Sequence, residues 1–140
     1  MNYREKAAFL HESGYNCAQS VAGAFCEITG VDEKQMLAIA GGFGGGVRCG
    51  EICGAVSGAV MVLGLLYPFD DGKNKAGKER IARLTKAFTK RFEERFGNLR
   101  CLDLIKASGK RDCRNYIMGS AEILADVIEK EKKEKENDTI

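Results

Sequence analysis

Residues 41–67 read Gly41-Gly42-Phe43-Gly44-Gly45-Gly46-Val47-Arg48-Cys49-Gly50-Glu51-Ile52-Cys53-Gly54-Ala55-Val56-Ser57-Gly58-Ala59-Val60-Met61-Val62-Leu63-Gly64-Leu65-Leu66-Tyr67, and the change of character part-way along decides the fold. Five glycines in the first six positions are unsuited to the interior of a helix or strand. Each costs about 0.5–1 kcal/mol more than alanine to order, so the stretch reads as a loop kept for something other than stability. Beyond it, Ile52, Val56, Ala59, Val60, Leu63 and Leu66 recur three or four residues apart, the period of a helix that Pro68 ends. The result is a glycine-rich loop feeding an apolar helix over about residues 50–67, with Cys49 and Cys53 at the junction.

Working outward, every other segment with a pattern also has a helical one. Ala7, Phe9, Leu10 and His11 mark a first helix over residues 3–13. Cys17, Val21, Ala24 and Ile28 are the inward stripe of a second, over residues 16–29. Asp32 caps a short third helix that packs through Met36, Leu37, Ile39 and Ala40. Ile81, Leu84, Phe88, Phe92 and Phe96 form the apolar side of a basic helix over residues 75–96. Cys101, Leu104 and Ile105 do the same for a short helix, and Cys113, Ile117, Ala121, Leu124 and Ile128 for the last. No segment alternates as a strand does. The fold expected is an all-α, single-domain bundle of about six helices around the central apolar helix, spanning residues 1–140 with a charged tail that frays from about residue 130.

The uncharged run of 18 residues from 52 to 69 reaches the lower limit for a membrane span. Gly54, Ser57, Gly58 and Gly64 within it, and the lack of an aromatic belt at its start, favour a buried helix instead, so no membrane span is expected. Gly50, Gly54 and Gly58, spaced by four, invite close approach of another helix, either from the same chain or across a homodimer.

With 140 residues, 44% hydrophobic and 30% charged, the chain has the composition of one globular domain, and a net charge of +2 selects no partner. Ten Lys or Arg against three Glu between residues 73 and 100 read as a solvated face. No aromatics interleave on its exposed side, which argues against nucleic acid. The first twelve residues are already a polar helix pattern rather than a leader, so the expected compartment is the cytoplasm, where permanent disulfides are rare.

The six cysteines must then be explained one by one. Cys17, Cys101 and Cys113 each begin an apolar stripe near the N-terminus of a helix, and Cys53 stands near the start of the apolar helix. If those ends gather, four thiols meet where helix dipoles favour thiolate, and Arg48 adds its charge beside Cys49 and Cys53. Cys26, nine residues beyond Cys17, falls on the opposite side and reads as a packing residue. His11, the one histidine, reads as a surface residue. Three functions stay open on this reading. In the first, Cys53 attacks a disulfide or oxidant and Cys49, Cys17 or Cys113 resolves the intermediate. In the second, Cys17, Cys53, Cys101 and Cys113 bind one zinc ion or an iron–sulfur cluster as cofactor. In the third, the bundle is an interaction module with inert thiols. The glycines fit neither GxGxxG nor a P-loop, although Arg48 with the helix start suits a small anion.

Residues 53–58 spell CGAxxG, preceded by GYNCAQ at 14–19 and GGFGGG at 41–46 and followed by Cys101 and Cys113. This pattern resembles the C_GCAxxG_C_C family of putative redox-active proteins, a bacterial and archaeal family of chains about this size. The resemblance runs over nearly the whole chain. It implies that Cys17, Cys53, Cys101 and Cys113 are the four family cysteines, leaves Cys26 outside the motif, and makes Cys49 a fifth participant or a bystander. It supplies neither reaction nor substrate, so whether the protein is an enzyme stays open. Members tend to be encoded near transporters, which implies a redox partner or a transport component as the protein's partner.

Overall fold

Polar residues start the helices in the computed structural model, which describes residues 1–138. Asn2 caps α1 (Tyr3–Glu12) in a capping box with Glu5, and Asn16 caps α2 (Cys17–Ala24) in a second one with Gln19. Asp32 caps α4 (Glu33–Ala40), and Asn74 caps α6 (Lys75–Phe96). The remaining helices are α3 (Cys26–Thr29), α5 (Gly54–Leu66), α7 (Cys101–Ser108) and α8 (Arg114–Asp138). Among the described residues the only β pairing is one antiparallel bridge between Ile52 and Arg100, so the fold is all-α.

Three expectations are corrected. The described residues form eight helices rather than about six, in part because the helix expected over residues 16–29 breaks at Phe25 (φ −107°, ψ 11°). That break turns Ile28 off the inward stripe and leaves it exposed. The apolar helix starts at Gly54, not near residue 50. Before it lie a 3-10 turn (Gly41–Phe43) and a π-type turn (Gly46–Gly50), in which Val47 and Arg48 take φ of 57° and 60° and interrupt any continuous helix. Lastly, α5 does not hold the centre alone. It packs on α2, α6 and α8, while α2 packs on α1, α4, α5 and α8. Phe25, Leu63, Phe88, Phe92, Ile117 and Leu124 fill the space between these helices.

The α2–α5 contact explains the glycine spacing. A Cβ at Gly58 would lie 2.5 Å from the Ala18 carbonyl oxygen, closer than real Cβ contacts, so α2 and α5 meet backbone to backbone at this point. A Cβ at Gly54 would likewise collide with Cys17 Sγ and approach the Phe43 carbonyl oxygen. At Gly54 and Gly58 the close approach comes from α2 of the same chain, while Gly50 lies before α5 and faces Leu102. Across the same core, the buried Ser120 hydroxyl on α8 donates to the Ala55 carbonyl at 2.8 Å.

The basic helix finds its acids on α8. Arg80 and Arg83 both pair with Glu131, Arg91 with Asp126, and Arg95 with Glu122. Glu131 is 6% exposed, and Arg80 also lies 4.5 Å from the Tyr67 ring centroid. Burial alone would raise the Glu131 carboxyl, but hydrogen bonds from Arg83 and Arg80 outweigh it and hold the group below its ordinary range. A lowered folded pKa means stability that is present above the unfolded value and lost as the pH falls through the folded one. Glu131→Ala is expected to cost about 2 kcal/mol at pH 7, since it strands two arginines. Urea denaturation at pH 7 and pH 3 checks this, with the gap between wild type and variant shrinking at the lower pH. α8 continues as helix through the stretch expected to fray, and the last two residues of that tail, 139–140, lie outside the described residues. Among the described residues no helix is long and apolar enough to cross a membrane.

Candidate functional site

Cys17, Cys101 and Cys113, which open apolar stripes, and Cys53 all stand at helix starts in the folded chain. Cys17 and Cys101 are the first residues of α2 and α7. Cys53 is the N-cap of α5, and the Cys113 carbonyl accepts the first hydrogen bond of α8 from the Ile117 N–H at 2.9 Å. These four ends converge, and Cys17, Cys53, Cys101 and Cys113 line a single open cavity of about 350 Å³. Arg48, Arg111, Asp112 and His11 stand around the same cavity. The gathering expected from the stripes is therefore present.

Three devices hold the thiols in place. Capped by its box, Asn16 fixes the start of α2 and donates from Nδ2 to the Gly41 carbonyl at 3.0 Å, tying the glycine loop to Cys17's helix. The Ile52–Arg100 bridge brings residues 51–53 beside 99–101. Its flanking bonds run from the Cys53 N–H to the Leu99 carbonyl (2.8 Å) and from the Cys101 N–H to the Glu51 carbonyl (2.6 Å), which ties the start of α5 to the start of α7 with the two cysteines diagonal to each other across the bridge. Tyr116 on α8 donates its hydroxyl to the Leu104 carbonyl at 3.0 Å, fixing α7 against α8 and so Cys101 near Cys113. The bridge and the tyrosine tie left no trace in hydrophobic periodicity, because each rests on one or two residues.

At Cys53, Cys101 and Cys113 the thiol pKa is raised rather than lowered. Burial pushes the Cys53 thiol up to about 12, and the neighbouring Cys17 adds to the rise. The N–H groups of Ala55 and Val56 at the start of α5 pull the other way, as the helix-terminus argument requires, and are outweighed. Burial also pushes Cys113 up to about 11, with Cys17 and Cys101 adding to it and Arg111 opposing. Cys101 is raised by burial and by Cys17, again against Arg111. Cys17 is the shared neighbour, acting on all three of the others. Near pH 7 the Cys53 and Cys113 sulfurs are therefore thiols. At a pKa of about 12, roughly 10⁻⁵ of Cys53 is thiolate at pH 7, against about 3% of an ordinary cysteine. Cys53 in the native protein is expected to alkylate about a thousandfold more slowly than in urea, with the rate climbing about tenfold per pH unit, as peptide mass spectrometry would read. The same raised value has a consequence for folding. Its contribution is complete below about pH 9 and is lost as the pH rises toward about 12, so the fold weakens in alkali.

The other cysteines lie elsewhere. Cys49 is exposed and donates its S–H to the Gly46 carbonyl at 3.4 Å. It lines an adjoining depression shared with Arg48, Arg111 and Cys101, not the cavity itself. Because it falls in the π-type turn before α5, it shares no helical face with Cys53. Cys26 is half-buried near α1 and α4, its S–H directed at the Ala22 carbonyl. His11 departs from its surface reading: it is half-buried, lines the cavity, and has Nδ1 3.3 Å from the Tyr15 carbonyl. Since a carbonyl only accepts, Nδ1 is the donor in that contact, which leaves Nε2 as the ring's second nitrogen. All six cysteines are free, and among the described residues no three His, Cys, Asp or Glu side chains stand together as a metal-ligand set.

A family model described as "Putative redox-active protein (C_GCAxxG_C_C)" matches residues 15–127. The chain belongs to the C_GCAxxG_C_C family. All four cavity cysteines fall within the matched span, and both Cys26 and Cys49 do too, so the match alone does not separate them. In this C_GCAxxG_C_C chain the central letters run Cys53-Gly54-Ala55, the first two of the name's GCA exchanged, with Gly58 in the place of its last glycine. Geometry gives those letters a reason: Gly54 and Gly58 are the points where α2, with Cys17 at its start, meets α5. Neither the curated proteins nor the solved structures gave a match.

Proposed function

We propose that the protein is a thiol–disulfide redox protein whose working groups are Cys113 and Cys17, with Cys101 and Cys53 completing the cluster. The observation that carries this is the convergence of four helix-start cysteines, and none of the other two, on one solvent-open cavity. Cys113 is the attacking group, because it alone of the four is not fully buried. Cys17 resolves, because it is the neighbour of every other thiol in the cavity.

The exchange balances without any further reagent. Cys113, as thiolate, attacks one sulfur of a disulfide, forming a mixed disulfide and expelling the other sulfur as a thiol once it takes up the released proton. Cys17 then attacks the Cys113 sulfur, breaking the mixed bond and releasing the second thiol. Two protein thiols become one disulfide, and the substrate gains two electrons and two protons. His11 Nε2 is the nearby group suited to accept the proton from the attacking thiol. The cytoplasm, which keeps thiols reduced, fits a chain whose six cysteines are all free. A partner in that compartment, a redox protein or a component of a transporter, would supply or remove the electrons.

Protein purified without oxygen and titrated with 2-hydroxyethyl disulfide tests the proposal, with free thiols and metal counted on the same sample. The account expects no stoichiometric metal and a loss of two thiols per chain that reductant restores. Six thiols persisting under excess disulfide would overturn it, and so would near-stoichiometric zinc or iron, which would move the same cysteines to a ligand role.

A further inference from the structure

The chain has nine arginines. Seven of them, Arg4, Arg80, Arg83, Arg91, Arg95, Arg100 and Arg114, form ion pairs with carboxylates. Among the described residues the two without such a pair are Arg48 and Arg111, and both stand at the rim of the cysteine cavity. They come from different segments, Arg48 from the turn before α5 and Arg111 from the link between α7 and α8. Both also line the adjoining depression that carries Cys49, so the two guanidinium groups flank one continuous approach to the thiols. A chain that pairs seven arginines and leaves two facing a single opening has placed positive charge there for something that arrives from outside.

The opposing charge at this rim is Asp112. Its carboxylate lies 3.8 Å from Lys110 Nζ and accepts the Arg114 N–H at 3.2 Å, so it is engaged by its own neighbours. His11 adds no negative charge. The rim is left with a net positive character, and the starts of α2, α5, α7 and α8 point the same sign of dipole into the cavity. The space of about 350 Å³ is that of a small molecule rather than a protein segment. A guanidinium fork matches a carboxylate with two parallel hydrogen bonds, which orients as well as attracts.

We infer that the cavity takes a small disulfide bearing a carboxylate, which Arg48 and Arg111 hold at the rim while its sulfur faces Cys113. This rests on the thiol–disulfide reading and names its substrate class. The bonds made and broken are those of that exchange, and the carboxylate stays unchanged throughout.

Two measurements separate the inference from the reading beneath it. The first compares exchange rates with dithiodiglycolate (anionic), 2-hydroxyethyl disulfide (neutral) and cystamine (cationic) in wild type and in an Arg48→Gln/Arg111→Gln variant. Expected is an order of rates anionic, neutral, cationic, with about a tenfold step that shrinks in salt and vanishes in the variant. Equal rates for the three, or a preference that survives the double substitution, would overturn the inference while leaving disulfide exchange standing. The second needs no redox chemistry. Cys101 and Cys113 are alkylated with iodoacetate and with iodoacetamide, in the native protein and in urea, and read by peptide mass spectrometry. The native ratio of iodoacetate to iodoacetamide should exceed the unfolded ratio by about tenfold and fall back in the double variant. An unchanged ratio sinks the anion site whatever the disulfides do. Both arginines are exposed and without an ion pair, so the variant should melt with the wild type, and Arg48→Lys/Arg111→Lys should retain part of the preference.

Discussion

Gly58→Val is expected to lower stability by about 3 kcal/mol or more and the melting temperature by roughly 10 °C. A Cβ there would meet the carbonyl oxygen, carbonyl carbon and Cα of Ala18, at 2.5, 3.2 and 3.2 Å. All three are backbone atoms, so no side chain can swing aside and α2 must move off α5. The substitution should also loosen Cys17, whose helix is the one displaced. Gly64 on the same helix is the control: nothing lies within 4 Å of its Cβ position, so Gly64→Ala should stabilise by about 0.5–1 kcal/mol through helix propensity alone. Thermal melts by circular dichroism read both. A protein that tolerated valine at 58 while losing nothing would show that the two helices do not meet as described.

Cys17→Ser should abolish disulfide turnover by at least about 100-fold while leaving a single, accumulating mixed disulfide on Cys113. Cys17 neighbours all three other thiols of the cavity, so its loss removes the resolving step for whichever of them attacks. Serine nearly matches cysteine in volume, and helicity should be retained. Cys26→Ser, which alters a thiol outside the cavity, should turn over like the wild type. Intact-mass spectrometry after one equivalent of dithiodiglycolate distinguishes the trapped adduct from the closed intramolecular disulfide. A Cys17→Ser protein that still turned over normally would remove Cys17 from the mechanism.

Much of this was legible in residues 41–67 and in the stripes around them. The 3.6-residue period gave the helices, and the placement of Cys17, Cys101 and Cys113 at the heads of stripes, with Cys53 near the start of the apolar helix, pointed to a common site. The structure brings those four together. What periodicity could not carry was local geometry. The break at Phe25 interrupts a stripe that continues unbroken in sequence, so Ile28 looked buried. Left-handed Val47 and Arg48 end any helix before Cys53, although valine gives no warning of such a conformation. The pKa values turned on a competition of magnitudes. Helix-start N–H groups do act on Cys53, but depth of burial is a tertiary quantity and it wins. The basic helix, read as a solvated face, is answered by α8, whose acids come 27 to 51 residues later. The isolated pairing of Ile52 with Arg100 rests on a single residue pair and carries no alternation to detect.

The central claim is that the four cavity cysteines act together as the redox centre. Its most direct test is a disulfide map: oxidise the protein with a slight excess of 2-hydroxyethyl disulfide, block remaining thiols, digest without reduction, and identify linked peptides by mass spectrometry. The account predicts one intramolecular bond drawn from Cys17, Cys53, Cys101 and Cys113, with the Cys17–Cys113 link dominant and Cys26 recovered as a free thiol. Linkage through Cys26, or only intermolecular bonds through the exposed Cys49, would contradict it.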